Sequence, residues 1–213
     1  MRLVEPQDLP RQTHPWLARY LVGLDLGQAS DYSALSVLEQ HGSGRGASFL
    51  CRHLQRWPLR TPYTQIAADV AALTNTGELH TPETALLAVD VNGPGQPVID
   101  LLKAHQLSAR LEPVFSHGGD KVTSGNGVTR VPKRELVSTT QIALQEGRLK
   151  IAPALAEAQT LVRELQNYQV EINQETAHDS YGAWRTGTHD DLLFAVMLPL
   201  WLGMRPAGKV ICW

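Results

Sequence analysis

Tyr20-Leu21-Val22-Gly23-Leu24-Asp25-Leu26 is an apolar run with a single carboxylate set inside it. A run of this composition, followed by a turn through Gly27 to Asp31, reads as a buried β-strand. Asp25 is then the residue to explain. A carboxylate inside an apolar strand is costly unless it is paired or binds a cation. An aspartate before a glycine also has turn-forming chemistry, but Leu24 and Leu26 set Asp25 inside the strand, short of the turn.

Outward from this strand, Ala34–Leu38 reads as a second strand and Ser48–Gln55 as a third, with HGSGRG (His41–Gly46) turning between them. Thr61-Pro62 opens a helix reaching about Asn75, with Ile66, Val70 and Leu73 on one face. ALLAVDV (Ala85–Val91) has the composition of a central strand covered on both faces, and Gly93-Pro94-Gly95 breaks it. Pro97–His105 reads as a helix and Arg110–Phe115 as a strand. Ser116–Arg130 is rich in Gly, Ser and Thr, lacks periodicity, and reads as a mobile loop or a hairpin. Helices are expected over Lys133–Glu146, stopped by Gly147, and over Pro153–Tyr168, where Leu155, Ala158, Leu161, Val162 and Leu165 form an apolar stripe. Gln169–Ile172 suits a short strand, and a final helix runs from about His189 to Gly203. A meander, a strand–helix–strand unit and closing helices make an α/β domain with a mixed sheet. It spans about residue 20 to residue 213, after a polar N-terminal extension over residues 1–19.

Four places carry candidate chemistry: Asp25, Asp31, Asp90 and the pair Asp190-Asp191. Asp90 ends an apolar strand, although Asn92-Gly93 behind it also suits a turn aspartate. Asp190 and Asp191 open the apolar last helix, where the helix dipole favours negative charge. Thr188-His189-Asp190-Asp191 equally has capping-box spacing, and Asp31 equally reads as a turn residue. If the first strand and the Ala85–Val91 strand are neighbours, Asp25 and Asp90 meet at one edge of the sheet, within reach of the helix start. Three or more carboxylates meeting without nearby Lys or Arg repel one another, and Mg²⁺ or Mn²⁺ relieves that repulsion. Two such ions ~3.5–4 Å apart activate a water and stabilise the leaving oxygen in phosphodiester cleavage. With no Cys/His cluster, the donors are hard oxygens.

The 19 Lys and Arg against 21 Asp and Glu give a net charge of -2, so a nucleic-acid partner must be met by a local patch. No acid lies between Glu39 and Asp69, where Arg45, Arg52, Arg56 and Arg60 occur; Lys121, Arg130, Lys133 and Arg134 flank the segment before the Lys133 helix. These are candidate phosphate contacts, which position a substrate without reading its sequence. Trp57, Tyr63, Tyr181 and Trp184 read as packing residues before stacking platforms, and His189 as a surface histidine or one that orients a metal-bound water. Cys51 and Cys212 suggest neither a disulfide framework nor a zinc site. Leu192–Gly203 is too short to span a bilayer and contains Pro199. A soluble, cytoplasmic protein is expected.

The run Gly23–Ala34 resembles the first metal-binding strand and turn of phage terminase large-subunit nuclease domains, members of the ribonuclease-H-like superfamily. Ala88–Gly95 is similar to their second acidic strand end, and Val131–Leu136 through Gly147–Ile151 to the following helix and its exit. LVRELQNY (Leu161–Tyr168) and His189-Asp190-Asp191-Leu192 complete the order, so the resemblance covers nearly the whole chain from Tyr20. It implies a ribonuclease-H-like mixed sheet flanked by helices and an endonuclease that cuts DNA with two Mg²⁺ or Mn²⁺ ions. Asp25, Asp90 and Asp191 become the catalytic metal-binding carboxylates. Asp190 joins the metal ligands, and Asp31, Asp190 and His189 are auxiliary. It implies double-stranded DNA as partner, packaging components such as a motor, portal or small terminase, and a phage- or prophage-encoded protein in a bacterial host. Large terminases join this domain to an ATPase, yet no G-x-x-x-x-G-K-[ST] phosphate loop occurs here. The chain is thus an excised domain or a free-standing relative. Junction resolvases and hybrid-cutting ribonucleases would use the same acids, and a non-catalytic assembly module would not need them. A sugar-kinase or actin-like ATPase shares the G-x-D-x-G strand but needs a second glycine motif.

Overall fold

A computed structural model describes residues 19–27, 30–79, 85–93, 95–172, 179–183 and 189–205. Residues 1–18 of the N-terminal extension, Pro94, Trp184, Thr188 and Cys212 lie outside them, as do the side chains of Arg45 and Tyr181. Strands β1 (Arg19–Asp25), β2 (Ala34–His41) and β3 (Ser48–Arg56) form the expected antiparallel meander. Helix α1 (Tyr63–Thr74) crosses to β4 (Ala85–Asp90), α2 (Gln96–Ala104) to β5 (Arg110–His117), and both strands run parallel to β1. The Ser116–Arg130 segment contains a hairpin of β6 (Thr123–Gly125) and β7 (Val128–Pro132), and β7 extends the parallel ladder beside β5. Helix α3 (Lys133–Gln145) then leads to β8 (Leu149–Ile151), which pairs with β3 at the far edge. The eight-stranded order is β6-β7-β5-β4-β1-β2-β3-β8. This is the mixed sheet flanked by helices that the sequence leads one to expect.

Two expectations need correction. Helix α4 spans Ala158–Asn167 and does not start at Pro153. On leaving β8 the chain makes two tight turns, in which Leu155 N–H donates to the Ala152 carbonyl and Ala158 N–H to that of Leu155. The strand β9 (Tyr168–Ile172) pairs with an unforeseen β10 (Asp179–Ala183) as a separate two-stranded sheet.

Helices α1 and α2 cover one face of the sheet over Val22, Leu24, Leu87 and Val89. The other face, over Leu21, Leu86, Ala88 and Val114, is covered by α3, α4 and the last helix, α5 (Asp191–Met204). Nearly every side chain of α5 is buried, which explains a sequence that is apolar all round. Two sequence details seat it. A Cβ on Gly23 would lie 1.8 Å from the Ala195 carbonyl oxygen and 2.6 Å from the Pro199 ring, so only glycine lets the helix approach β1 this closely. Pro199 has no N–H for the Ala195 carbonyl four residues earlier, and the Ser36 hydroxyl of β2 donates to that oxygen instead at 2.7 Å. None of the described helices is long and apolar enough to cross a membrane.

Candidate functional site

Strand alternation decides which face the acids take. In β1, Leu21 packs on the α5 side, whereas Val22 and Leu24 pack against α1 and α2, so Asp25 falls on the α5 side. The same alternation through Leu86, Leu87, Ala88 and Val89 puts Asp90 there too. Leu24 pairs with Val89 in the parallel register, so Asp25 and Asp90 end neighbouring strands side by side. Asp191 starts α5 above that edge, with Asp190 immediately before it. Asp25 is partly buried, and Asp90 and Asp191 are buried.

Local bonds hold Asp90 and the turn after β1. The Asn92 N–H donates to Asp90 Oδ1 at 2.9 Å. The Asn92 side chain donates to the Ser116 carbonyl and hydroxyl at 2.7 and 2.8 Å, and accepts from the Ser116 N–H at 3.1 Å. This clamp prolongs the β4–β5 ladder past Asp90. The turn after β1 is held by Gly27 N–H donating to Ser33 Oγ (3.1 Å) and by the Tyr63 hydroxyl donating to the Gly27 carbonyl (2.9 Å). A Cβ on Gly27 would lie 2.3 Å from the Asp31 and Tyr32 carbonyl oxygens, so the turn needs glycine there. Asp31 is exposed, with His189 Nδ1 4.0 Å from its Oδ1 and 3.7 Å from Asp191 Oδ2. Asp191 Oδ2 is buried and accepts no hydrogen bond among the described residues.

The acids are not free of cations, contrary to the sequence reading. Register puts Asp25, Ala34 and Arg56 in one row across β1, β2 and β3. Arg56 sits 4.2 Å over the Tyr32 ring, and that ring meets His189 edge-on at 4.9 Å. Lys133 lies 5.4 Å from the Phe194 ring centroid, and its charge opposes the upward shift of Asp90.

A residue that sequence reasoning passed over, Glu164 of α4, is also here. It is buried, its Oε2 accepts the Leu193 N–H at 2.8 Å, and its Oε1 stands 4.0 Å from Arg56 Nη1. Its signal was present: Ala158, Leu161 and Glu164 share the buried side of α4, putting a carboxylate on an apolar stripe.

The acids pay for their crowding in proton affinity. Burial, then the charges of Asp90, Asp191 and Asp190, raise Asp25 well above the ordinary carboxylate range, against a hydrogen bond from the Leu26 backbone. Burial pushes Asp90 up to about 6, against Asn92 and Lys133. Burial also pushes Asp191 up to about 6; His189 pulls it down, Asp190 and Asp31 push it up, and Arg56 opposes them. Glu164 is pushed up to about 8, chiefly by burial, with the Leu193 N–H opposing. Among the described residues, no three His, Cys, Asp or Glu side chains already stand at metal-ligand spacing. The donor set is nonetheless all oxygen at Asp25, Asp90 and Asp191, and the bondless buried oxygen of Asp191 suits a hard cation.

The basic residues divide. Arg56 and Lys133 border the acids, as above. Arg52 lies 3.5 Å from Glu39, and Arg134 is tied to Asp120 at 2.7 Å. Arg60, Lys121 and Arg130 are exposed, Arg60 in the left-handed backbone region at φ 66°. Cys51 is a buried free thiol.

No family model and no curated protein matches the chain. Solved structures do. The large terminase nuclease from thermophilic phage G20c aligns with a TM-score of 0.61 at 20% identity, over 85% of this chain and 81% of that one. The human cytomegalovirus terminase nuclease domain, Mn soaked and inhibitor bound, aligns at 0.57 and 14% identity, over 95% and 89%. The large-terminase nuclease domain of bacteriophage SPP1 with bound Mn aligns at 0.51 and 15%, over 86% and 85%. These alignments, each over more than four fifths of both chains, show that the chain has the fold of the large-terminase nuclease domains.

Proposed function

We propose that this protein is a divalent-metal-dependent endonuclease that hydrolyses DNA phosphodiester bonds. The observation that supports it most is the meeting of Asp25 and Asp90, at the ends of adjacent parallel strands, with Asp191 at the start of α5. Asp25, Asp90 and Asp191 would hold Mg²⁺ or Mn²⁺, with Asp190 as a further ligand and Asp31 as an auxiliary acid. Two such ions, when bound, activate water and stabilise the leaving oxygen. The Mn in the cytomegalovirus and SPP1 structures supports the same ion class. His189, whose Nδ1 lies 4.0 Å from Asp31 Oδ1 and 3.7 Å from Asp191 Oδ2, would be auxiliary and orient a metal-bound water. Arg56 and Lys133 bring positive charge to the edge where a phosphate would lie, and the exposed Arg60, Lys121 and Arg130, with Arg52 and Arg134, would bear on the flanking backbone. Double-stranded DNA is the proposed partner, with a motor, portal or small terminase as packaging components, in the cytoplasm of a bacterial host.

The test is incubation with supercoiled plasmid in Mg²⁺, Mn²⁺ or EDTA. Nicking and linearisation with either metal, little sequence preference and no cleavage in EDTA are expected. Undiminished cleavage in EDTA, or none of DNA or RNA with either metal, would sink the proposal. Preferential cutting of four-way junctions or RNA–DNA hybrids in the same assay would move it to a resolvase or hybrid-cutting ribonuclease of the same fold.

A further inference from the structure

We infer that Glu164 is a positioning residue that sets where Asp191 stands by capping α5 from the neighbouring helix α4; the inference rests on the metal-centre reading above. The first turn of a helix leaves backbone N–H groups without intrahelical acceptors. Asp190 occupies the N-cap place of α5, yet its side chain makes no capping bond. Glu164 does that work from a distance of 29 residues in sequence, its Oε2 taking the Leu193 N–H at 2.8 Å. Leu193 is the third residue of α5, whose N–H a local cap ordinarily takes. A carboxylate there also suits the positive end of the helix dipole.

The second oxygen completes the device. Glu164 Oε1 is buried, accepts no hydrogen bond among the described residues, and stands 4.0 Å from Arg56 Nη1. Glu164 thus ties the first turn of α5 to the end of β3, whose Arg56 shares a sheet row with Asp25. Its placement fixes the helix start, and Asp191 with it, relative to the strand acids. A leucine, such as Leu161 one turn earlier, would fill this contact at no cost in desolvation and without facing Asp190 and Asp191. What only a side chain with an acceptor provides is a directed bond to one chosen N–H. Groups that orient ligands in this way govern metal affinity without touching the metal.

The experiment compares parent, Glu164→Gln and Glu164→Met, all free of DNA. Mn²⁺ uptake is followed through the spin-resonance signal of free Mn²⁺, and exchange of the Leu193 amide is measured without metal. Glutamine keeps an oxygen for the Leu193 N–H; methionine keeps only the volume. The Gln variant should bind Mn²⁺ within about threefold of parent, and the Met variant at least about tenfold more weakly, with Leu193 deprotected. Equal damage in both variants would make the charge itself essential, so that Glu164 is a ligand, and would overturn the inference. Parental Mn²⁺ binding by the Met variant would leave Glu164 a mere packing residue and overturn it as well. If the Met variant does not fold, an unprotected Leu193 amide in parent or Gln variant overturns the capping, and protection with near-parental Mn²⁺ binding supports it. A parent that takes up no Mn²⁺ would instead defeat the metal-centre reading itself.

Discussion

Asp25 carries a carboxyl group at the end of an otherwise apolar, buried stretch of β1. Its neighbours Asp90, Asp191 and Asp190 all disfavour its charge. Asp25→Asn removes one like charge and nearly preserves shape, so the metal-free variant should melt no lower than the parent. Mn²⁺ should stabilise the parent by mass action, and Asp25→Asn should lose most of that gain together with cleavage. Asp191→Asn should behave alike and Asp190→Asn more mildly. Thermal melts of the four proteins with and without Mn²⁺ check this. If every variant melts lower without metal and all respond equally to Mn²⁺, the acids are turn and cap residues. Asp25 and Asp90 were legible in the sequence because each interrupts an apolar run. Glu164 was not singled out, because Arg163 and Gln166 beside it make its helix look solvated there, and only the α4–α5 contact buries it. The sequence marks Arg56 and Lys133 as phosphate contacts only. Their approach to the acids comes from a row across three strands and from the α3 start, relations that no local window of sequence contains.

Among the elements, α5 has the most demanding seat. Ser36→Ala leaves the Ala195 carbonyl without its donor, at a cost of about 1–3 kcal/mol. Pro199→Ala restores an N–H at the position that normally serves that carbonyl, so the same Ser36→Ala change should cost markedly less in a Pro199→Ala background. Denaturant unfolding of the four-member cycle measures the coupling. Equal costs in both backgrounds would show that the hydroxyl does not compensate for the proline. Gly23→Ala should be worse than either single change, since the added methyl meets backbone as well as a ring. Long periodic segments could be read directly, and β1 to β5 with α1, α2, α3 and α5 fall where hydrophobic period and turn residues put them. Strand β8 has three residues and is a strand only because β3 offers it an edge. The α4 boundary failed because Pro153 suits a helix start, but the chain leaving β8 turns twice first.

For the molecule as a whole, buried acids make stability a function of pH with a predictable sign. Unfolded carboxyl groups titrate at roughly 3.9–4.3. Asp90 and Asp191 rise to about 6 and Glu164 to about 8 in the folded chain, and Asp25 is raised as well. Between those limits the native state holds more protons than the unfolded one, so unfolding free energy falls as pH rises. The metal-free protein should therefore melt higher at about pH 5 than at about pH 8, and saturating Mn²⁺ should flatten or reverse the trend by favouring the charged forms. Calorimetry in EDTA and in Mn²⁺ checks it, and a metal-free melting point that climbs over this range would contradict it. The near-neutral average charge hid this behaviour, because crowding of charge is a property of the tertiary arrangement and not of the sum. The same arrangement bears on how the protein is made. Asp25 and Asp90 leave the ribosome far ahead of Asp191, whose helix packs against β1 and β2, the first strands of the sheet. A nascent chain halted anywhere before α5 lacks both the third acid and the helix that completes one side of the sheet. On the proposed function, a nascent chain would therefore be unable to cut nucleic acid until α5 has emerged and packed onto β1 and β2.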